Sequence, residues 1–530
     1  MSEHPLLRKT GRWLTLGLAL GAGLSAAAAH PPFGLLPGLL GFGLLLHLLD
    51  RADPAKPLRS AFWRGWLAGS AYFLVSTWWV GEAFLVDVAE HGWQAPFAIG
   101  FLACGLGLLW GAAGLTYRLI APRHAGRVLT FAAVFAVFEW LRGHMLSGFP
   151  WDLPGEAWRA GGWVSQAASV FGAYGLSLIT LAMAAAAGIW GGSDSRRAKA
   201  AASGLAILAL VVLGGGGALR LAAPTRFTPV RVRVVQADIE QADKWTPEAF
   251  RSIFDAYTGL TAQPPATGGV PQVVLWPEGA IPADSAVFLA EGTWTHDALM
   301  AALKPGQILI MGAARSDGVG ADQRFFNAAL ALRRDAGGLT PLAIYDKHHL
   351  VPFGEYMPMD SLMGAIGFKA LVHVGDGFTA GPRPAPILPP GLPALQVLIC
   401  YESLFPAFVA GDKPRPAWIA NLSNDAWFGK TSGPWQHLNL ASYRAIEEGL
   451  PMVRATPTGV SAMIDAYGRP LRRLGQGARG VIDADLPTAI ASPPYRTLRD
   501  WPFWIAVGLI LAGSTRWVRL SPAPAPLRAA

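Results

Sequence analysis

Three short runs in the second half of the chain each place a reactive side chain directly after a β-branched segment. Glu278 follows QVVLWP, Lys347 follows IYD, and Cys400 follows LQVLI. A thiol, a carboxylate that can take its proton and an ammonium that can stabilise an oxyanion suit acyl transfer through a thioester. Functional groups tend to lie at the carboxyl ends of strands in α/β layers, so we expect these three to meet in one pocket.

Each of these residues also has an ordinary interpretation. A lone Cys after an apolar strand is most often a small buried hydrophobe, Glu278 suits a helix N-terminus, and Lys347 suits a surface. Lysine is scarce here relative to arginine, however, and Lys347 lies beside two histidines. A thiol with a pKa of about 8.5 is mostly protonated at neutral pH, so either Glu278 removes its proton or Lys347 favours the thiolate. Both routes stay open at this point.

The order and the amino-acid sequences of these runs resemble those of a known superfamily. WPEG, YDKHHLVPFGEYMP and CYES, followed by NLSNDAWFG at 421–429, are similar to the Glu-Lys-Cys motifs of the nitrilase, or carbon-nitrogen hydrolase, superfamily. The LVPFGE run and the apolar segments resemble its membrane-embedded N-acyltransferases, over nearly the whole chain. The resemblance implies Cys400 as the nucleophile, Glu278 as the general base and Lys347 as the oxyanion-stabilising cation.

The resemblance also implies supporting residues around this triad. Glu355 and Glu402 match further carboxylates near the pocket. Tyr401, Trp245 in ADKW and Asn327 in FFNAAL match positions that support activity in the family. The two extra carboxylates either hold the lysine in place or deprotonate the incoming amine, and the sequence does not separate these roles.

From the same resemblance we expect a nitrilase-like αββα domain on the periplasmic side of the bacterial inner membrane. The implied reaction takes an acyl chain from a phospholipid, typically phosphatidylethanolamine, onto the cysteine. The chain then passes to the α-amino group of a diacylglyceryl-cysteine apolipoprotein. No cofactor is expected. The sequence contains no HExxH or CxxC, so no metal site is expected, and it contains no Ser-centred elbow, so a serine hydrolase is not indicated.

The composition places these motifs in a membrane protein. The 530 residues are 52% hydrophobic and only 15% charged, with a mean hydropathy of +0.34. That is too apolar for a wholly soluble chain. The net charge of +8 does not indicate nucleic acid, because Lys and Arg are spread over short loops. Cys104 lies in an apolar stretch and Cys400 in a polar region, so no disulfide is expected between them.

Eight apolar segments predict membrane-spanning helices. They lie at 12–29, 33–49, 61–80, 95–117, 128–146, 164–190, 201–219 and 502–518. The predicted organisation is a membrane domain over 1–219 with seven spans, a catalytic domain over 220–501, an eighth span over 502–518 and a cytoplasmic tail over 519–530. The expected fold class is α/β, an eight-span helical domain joined to a sandwich. The first segment also resembles a cleavable signal, because a basic start precedes a short apolar run and the alanines at 26–29.

Loop charges predict the orientation of these spans. Lys and Arg cluster in alternate connections, for example around Arg59, Arg123 and Arg197, whereas the intervening short loops hold only Arg142 and Arg159. Cytoplasmic loops favour Lys and Arg. Both termini are therefore predicted to be cytoplasmic, and the domain between the seventh and eighth spans periplasmic.

The polar region from 220 to 500 has the pattern of an α/β domain. VRVRVVQ, QVVLW, QILIMG and LQVLIC predict strands, and TPEAFRSIFDAYTGL at 246–260 predicts a helix. LGQGARG spells GxGxxG, but its flanking segments are predicted to pair as a hairpin, which argues against a nucleotide site.

Two other functions remain open. An amide hydrolase of the same superfamily would use water in place of the amine, and product analysis separates the two. A lipid transporter is disfavoured because the predicted spans show no charged relay and few ionisable groups. The loop at 147–158, with Phe149, Trp151 and Trp158, is predicted either to cover a lateral lipid entrance or to belong to an interfacial aromatic belt.

Overall fold

The structure is a computed structural model. The protein has two parts, one helical and one built of strands and helices. The structure describes residues 5–122, 124–245, 247–265, 268–358, 377–409 and 414–520. Most of the predicted tail at 519–530 lies outside these residues, as does Arg123. Both cysteines are free, so the expectation of no disulfide between them is confirmed.

Helices occupy each of the eight apolar segments. The longer helices are α1 (Pro5–Ala27), α2 (Leu40–Asp50), α3 (Pro57–Thr77), α4 (Ala95–Ile120), α5 (Arg127–His144), α6 (Ala168–Ala185), α7 (Arg196–Leu221), α8 (Pro247–Ala262), α9 (Trp294–Ala302), α10 (Gly433–Glu448) and α11 (Trp501–Leu520). Short helical turns lie at Leu36–Leu39, Trp78–Leu85, Val88–His91, Gly92–Gln94, Pro154–Ala157, Val164–Ala167, Ala186–Gly191, Ala242–Trp245, Ser285–Phe288, Gly320–Asp322, Cys400–Leu404, Asp425–Phe428 and Pro494–Leu498.

Within the described residues, three helical stretches are long and apolar enough to cross a membrane. They are Val88–Ile120, Val164–Gly191 and Arg196–Leu221, whereas Leu36–Asp50 and Trp501–Ser514 are shorter apolar helices. In the apolar window of the last stretch only 6% is buried, so most of its residues are at least partly exposed. The count of eight spans stays a prediction.

Glycines allow α3 and α4 to pack closely. A Cβ on Gly65 would lie 2.3 Å from the carbonyl oxygen of Trp110, and one on Gly107 would lie 2.5 Å from Ser70 Oγ. Backbones at this separation exclude larger side chains. The Trp110 ring in turn packs 4.8 Å from that of Tyr72, so the helices enclose an aromatic core.

The helical part contains more buried charge than its sequence predicts. Glu139 and Arg142 on α5 form an ion pair and are 1% and 3% exposed. Glu139 also accepts a hydrogen bond from Trp110 Nε1 at 2.6 Å, and Arg142 donates to the carbonyl oxygens of Phe149 and Trp151. The expectation of few ionisable groups among the spans is therefore wrong. Buried charges persist here because each is paired and hydrogen-bonded.

The second part contains two sheets. The strands are β1 (Phe227–Gln236), β2 (Val273–Leu275), β3 (Ile308–Asp317), β4 (Arg324–Asp335), β5 (Gly338–Asp346), β6 (Leu395–Ile399), β7 (Trp418–Leu422), β8 (Met452–Ala455), β9 (Ser461–Ile464), β10 (Pro470–Leu474) and β11 (Gly480–Pro487). One sheet has the order β11-β1-β2-β3-β4-β5 and the other β10-β9-β8-β7-β6. Strands β1 to β3 run parallel, as do β6 to β8. The strands and the helix predicted from the sequence are confirmed.

The two sheets pack face to face between layers of helices. Alternation along β1 sends Val234 into the core between the sheets and Val235 into the core under the helices. Phe254 of α8 and Leu299 of α9 cover the six-stranded sheet, and Ala441 of α10 covers the five-stranded sheet. The expected αββα sandwich is confirmed.

The segments around LGQGARG do not pair as a hairpin. β10 pairs with β9 in one sheet, whereas β11 pairs with β1 in the other. The turn at 475–479 therefore crosses between the sheets, with Gly477 at a φ of +69°. The hairpin prediction is wrong because two neighbouring strands show the same alternation whether or not they pair with each other.

Candidate active site

Strand ends deliver the three predicted catalytic residues to the junction of the two sheets. Lys347 directly follows β5, Cys400 directly follows β6, and Glu278 lies three residues beyond β2. Their exposed fractions are 1%, 9% and 7%. Extended strands end here because Pro277 cannot donate to a ladder and Cys400 begins a helical turn.

Lys347 is held between two carboxylates. Its Nζ donates to Glu278 Oε1 at 3.2 Å and to Glu355 Oε1 at 2.9 Å. Asn327 Nδ2 donates to the same two oxygens at 2.7 and 2.6 Å. Burial alone would lower the pKa of Lys347, but the two carboxylates outweigh it and raise that pKa. The ammonium is therefore a fixed positive charge, and Asn327 and Glu355 hold it in place.

The two carboxylate oxygens of Glu278 differ in their hydrogen bonds. Oε1 receives the hydrogen bonds from Lys347 and Asn327. The buried Oε2 has no hydrogen-bond partner within the described ranges. A carboxylate with an open oxygen in a buried site is placed to accept a proton.

Cys400 is buried and has an uncommon backbone conformation. Its φ is +47°, a region that residues other than glycine rarely adopt, and Ser403 Oγ donates to its carbonyl oxygen at 2.8 Å. Burial and the charge of Glu278 raise the pKa of the thiol well above its usual value, against the opposing effects of Lys347 and the Asn424 backbone N–H. The thiol is therefore protonated at neutral pH. Of the two routes to attack, a protonated thiol favours the one in which a base removes the proton.

Glu402 ties the segments after β5 and β6 together. It accepts hydrogen bonds from the backbone N–H groups of His348, His349 and Ile399 at 2.8, 3.1 and 2.8 Å. The Tyr345 hydroxyl donates to it at 2.8 Å. Burial raises the pKa of Glu402 to about 7, and these donors oppose the rise. Because four donors already bind its carboxylate, we expect Glu402 to hold these segments together and not to accept the thiol proton.

Tyr401 and His349 connect the site with the loop that follows α5. The Tyr401 hydroxyl donates to the Gly148 carbonyl oxygen, and His349 Nε2 lies 2.7 Å from that of Ser147. Trp245 closes a short helical turn, but its side chain lies outside the described residues. The predicted supporting residues Glu355, Glu402, Tyr401 and Asn327 thus all surround the site.

An aromatic wall adjoins Tyr401. The rings of Trp79 and Trp151 lie 4.4 Å apart, and both indole N–H groups donate to Gln436 Oε1, at 3.1 and 3.0 Å. Trp151 is 2% exposed, so it belongs to the interior and not to an interfacial belt. Phe405 continues the same apolar cluster. These rings form a packed apolar cluster that also contains Tyr401, the residue after Cys400.

A buried polar network behind Cys400 has little signal in the sequence. His437 Nδ1 lies 2.9 Å from Asp425 Oδ1, and Arg454 donates to both carboxylate oxygens. His437 Nε2 lies 3.0 Å from Ser403 Oγ and 3.3 Å from the Cys400 carbonyl oxygen. Burial would raise the pKa of Asp425, but Arg454 and His437 outweigh it and lower that pKa. Asp425 lies in the NLSNDAWFG run, whereas its partners are distant in sequence.

No group of three or more His, Cys, Asp or Glu side chains in the described part of the chain is arranged to hold a metal ion.

Comparisons with known proteins find two family models in the chain. Residues 22–186 match the Apolipoprotein N-acyltransferase N-terminal domain, and residues 231–493 match Carbon-nitrogen hydrolase. The apolipoprotein N-acyltransferase of Caulobacter vibrioides is 53% identical to this chain, over 97% of each protein. That of Rhodopseudomonas palustris is 36% identical over 94% of each. Among solved structures, an amidase from Nesterenkonia sp. shares 20% identity over 53% of this chain and 97% of the amidase, with a TM-score of 0.34.

Proposed function

Because the chain belongs to the apolipoprotein N-acyltransferase family, we propose that it transfers an acyl chain from a phospholipid to the N-terminal amine of a diacylglyceryl-cysteine apolipoprotein. The proposed donor is phosphatidylethanolamine. One observation carries the mechanism: Lys347 is fixed between Glu278 and Glu355 at the strand ends that also deliver Cys400.

The first half-reaction loads the thiol. Glu278 accepts the Cys400 proton on its open Oε2 as the sulfur attacks the ester carbonyl carbon of the phospholipid. Lys347 stabilises the negative charge that develops on the carbonyl oxygen. The ester C–O bond then breaks, Glu278 returns the proton to the departing alcohol, and a thioester remains on Cys400.

The second half-reaction passes the acyl chain to the amine. The amine nitrogen attacks the thioester carbon, and Glu278 accepts the proton that the nitrogen loses. The C–S bond breaks, the sulfur regains a proton from Glu278, and the lipoprotein leaves with an amide-linked chain. Donor and acceptor occupy the site in turn, so the site needs to hold one reacting chain at a time.

The helical part serves substrates that never leave the membrane. We propose that residues 1–219 form its first seven spans, 502–518 the eighth, and 220–501 the periplasmic catalytic domain in the bacterial inner membrane. Both termini, including the tail at 519–530, are then cytoplasmic. The loop charges and the three apolar helical stretches support this arrangement.

Mass spectrometry of the purified protein tests the thioester directly. After incubation with phosphatidylethanolamine alone, the peptide containing Cys400 should gain the mass of one acyl chain. Cys400→Ala should gain none, whereas Cys104→Ala, the matched control, should load normally. Amide product formed by an enzyme that never loads Cys400 would show direct transfer instead.

The same preparation separates the two other functions. A hydrolase would release free fatty acid and leave an added diacylglyceryl peptide unmodified. A transporter would keep full biological activity as Cys400→Ala. The sequence-based argument against a transporter was that the spans contain few ionisable groups, and the buried Glu139–Arg142 pair contradicts it. The activity of Cys400→Ala is therefore the measurement that separates transport from acyl transfer.

A further inference from the structure

A second buried ammonium lies beside the catalytic carboxylate, and no step of the reaction uses it. Lys244 is 3% exposed, and its Nζ donates to the carbonyl oxygen of Gly279 at 3.1 Å. Gly279 is the residue after Glu278 and has a φ of +54°, so the hydrogen bond fixes a turn that favours glycine. Lys244 therefore contacts the backbone that orients Glu278.

The loop that carries Lys244 also reaches the thiol side of the site. Gln241, itself 3% exposed, accepts a hydrogen bond from Asn424 Nδ2 at 2.9 Å. The backbone N–H of Asn424 is hydrogen-bonded to the Cys400 thiol and lowers its pKa. This loop, residues 237–245 between β1 and α8, thus connects the two halves of the catalytic centre.

The charges of the site explain the need for a second cation. Glu278 and Glu355 share one ammonium, that of Lys347, and all three side chains are buried. Two carboxylates on one cation leave an excess of negative charge in a poorly solvated site, which is costly unless another positive charge lies nearby. Another positive charge near Glu278 offsets that excess.

Lys244 is charged at neutral pH. Burial lowers its pKa to about 8, and the charge of Glu278 opposes the decrease. The ammonium is therefore present below about pH 8 and is lost as the pH rises through that value.

We propose that Lys244 is a positioning residue of the catalytic centre, which holds the turn after Glu278 and places a second positive charge beside its carboxylate. The inference rests on the proposed role of Glu278 as the base. Inside the site, Lys347, Glu355 and Cys400 also face Glu278. In the described parts of the loop at 237–245 and its neighbours, the acidic residues are exposed or half-buried, although Oδ1 of Asp238 is itself buried: Asp238, Glu240, Asp243, Glu248 and Asp284. All five are carboxylates, so none of them supplies the positive charge that Lys244 supplies.

The pH dependence of Cys400 alkylation tests this inference without any lipid. In full-length Cys104→Ala protein, iodoacetamide reports on Cys400 alone. Because its raised pKa keeps the thiol protonated at acidic and neutral pH, its alkylation follows the base, and Glu278→Gln should remove the acid limb of the profile.

Lys244→Met should move the midpoint of that limb upward by about one pH unit, the shift expected when a carboxylate loses a nearby cation. Lys244→Gln, which keeps a donor for Gly279 but no charge, should show the same shift if the Met variant does not fold. Lys244→Arg should restore the midpoint. The matched control is Lys430→Met, which removes an exposed ammonium 3.0 Å from Glu240 and should leave the profile in place.

An unmoved midpoint in Lys244→Met overturns the inference. So does a rate that changes equally at every pH, because a purely structural role has that effect. An acid limb that persists in Glu278→Gln contradicts the base role and the inference together. A midpoint that shifts in Lys244→Met, together with a wild-type protein that never forms an acyl-enzyme, would instead contradict only the proposed acyl transfer.

Discussion

Among individual residues, Glu278 is the one whose proposed role the surroundings define most narrowly. Its Oε1 is occupied by Lys347 and Asn327, and its Oε2 is buried and open. Glu402 accepts four hydrogen bonds and has no such open position. A base for the Cys400 thiol is therefore expected at Glu278 and not at Glu402.

Replacement of Glu278 by glutamine should separate chemistry from binding. Glu278→Gln keeps the size of the side chain and removes the base, so acyl loading of Cys400 should fall by about 10²- to 10⁴-fold. Phospholipid binding should be retained, and the exposed control Glu291→Gln should load normally. Loading rates measured by mass spectrometry check this. Loading at the wild-type rate would exclude Glu278, and Glu355 would become the better candidate.

Among the elements, α10 makes the connection between the sandwich and the helical part. All of its residues except Trp435 are buried, although many are polar. Ala441 packs on the five-stranded sheet, whereas Asn439 accepts from the Ala160 N–H and donates to the Glu156 carbonyl oxygen, both at 2.8 Å. The helix is polar because one of its faces meets loop backbone groups that need hydrogen-bond partners.

Gln436 of α10 should be important for stability. Gln436→Leu removes the acceptor shared by Trp79 and Trp151; Trp79 keeps a second acceptor, the Ser76 carbonyl oxygen, at 2.8 Å. The Trp151 indole N–H is left buried without a partner, a cost of about 2 kcal/mol. The thermal midpoint of the purified protein should fall, whereas Gln323→Leu at an exposed loop should leave it unchanged. An unchanged thermal midpoint in Gln436→Leu would contradict a stabilising role for this side chain.

At the scale of the whole molecule, the orientation in the membrane decides which substrates the site can meet. In a Cys104→Ala, Cys400→Ala background, Val319→Cys places a thiol at a position that is 86% exposed, between β3 and β4. Arg197→Cys places one at the exposed start of α7. A membrane-impermeant maleimide should label the first in intact spheroplasts and the second only after lysis, because loop charges predict the second to be cytoplasmic. The reverse pattern would contradict the orientation and the proposed substrates.

The sequence by itself determined the features that depend on chain neighbours. Alternation over a few residues predicts β1, β2, β3 and β6, and the residue that follows a strand is fixed by the covalent chain. The positions of Glu278, Lys347 and Cys400 at strand ends could therefore be predicted. Long apolar runs likewise predicted the helical part, because their length and composition are local properties.

Only the tertiary structure decided how distant residues pair. The choice of β1 as the partner of β11, the burial of a polar α10 and the His437–Asp425 contact all join segments whose local patterns are compatible with other partners. Nothing in the sequence distinguishes Lys244 from a surface lysine, and its proposed positioning role follows only from its burial and its hydrogen bond to Gly279. The physical reason is that desolvation and ion pairing depend on what surrounds a charge in space, and the order of residues along a chain does not specify those surroundings.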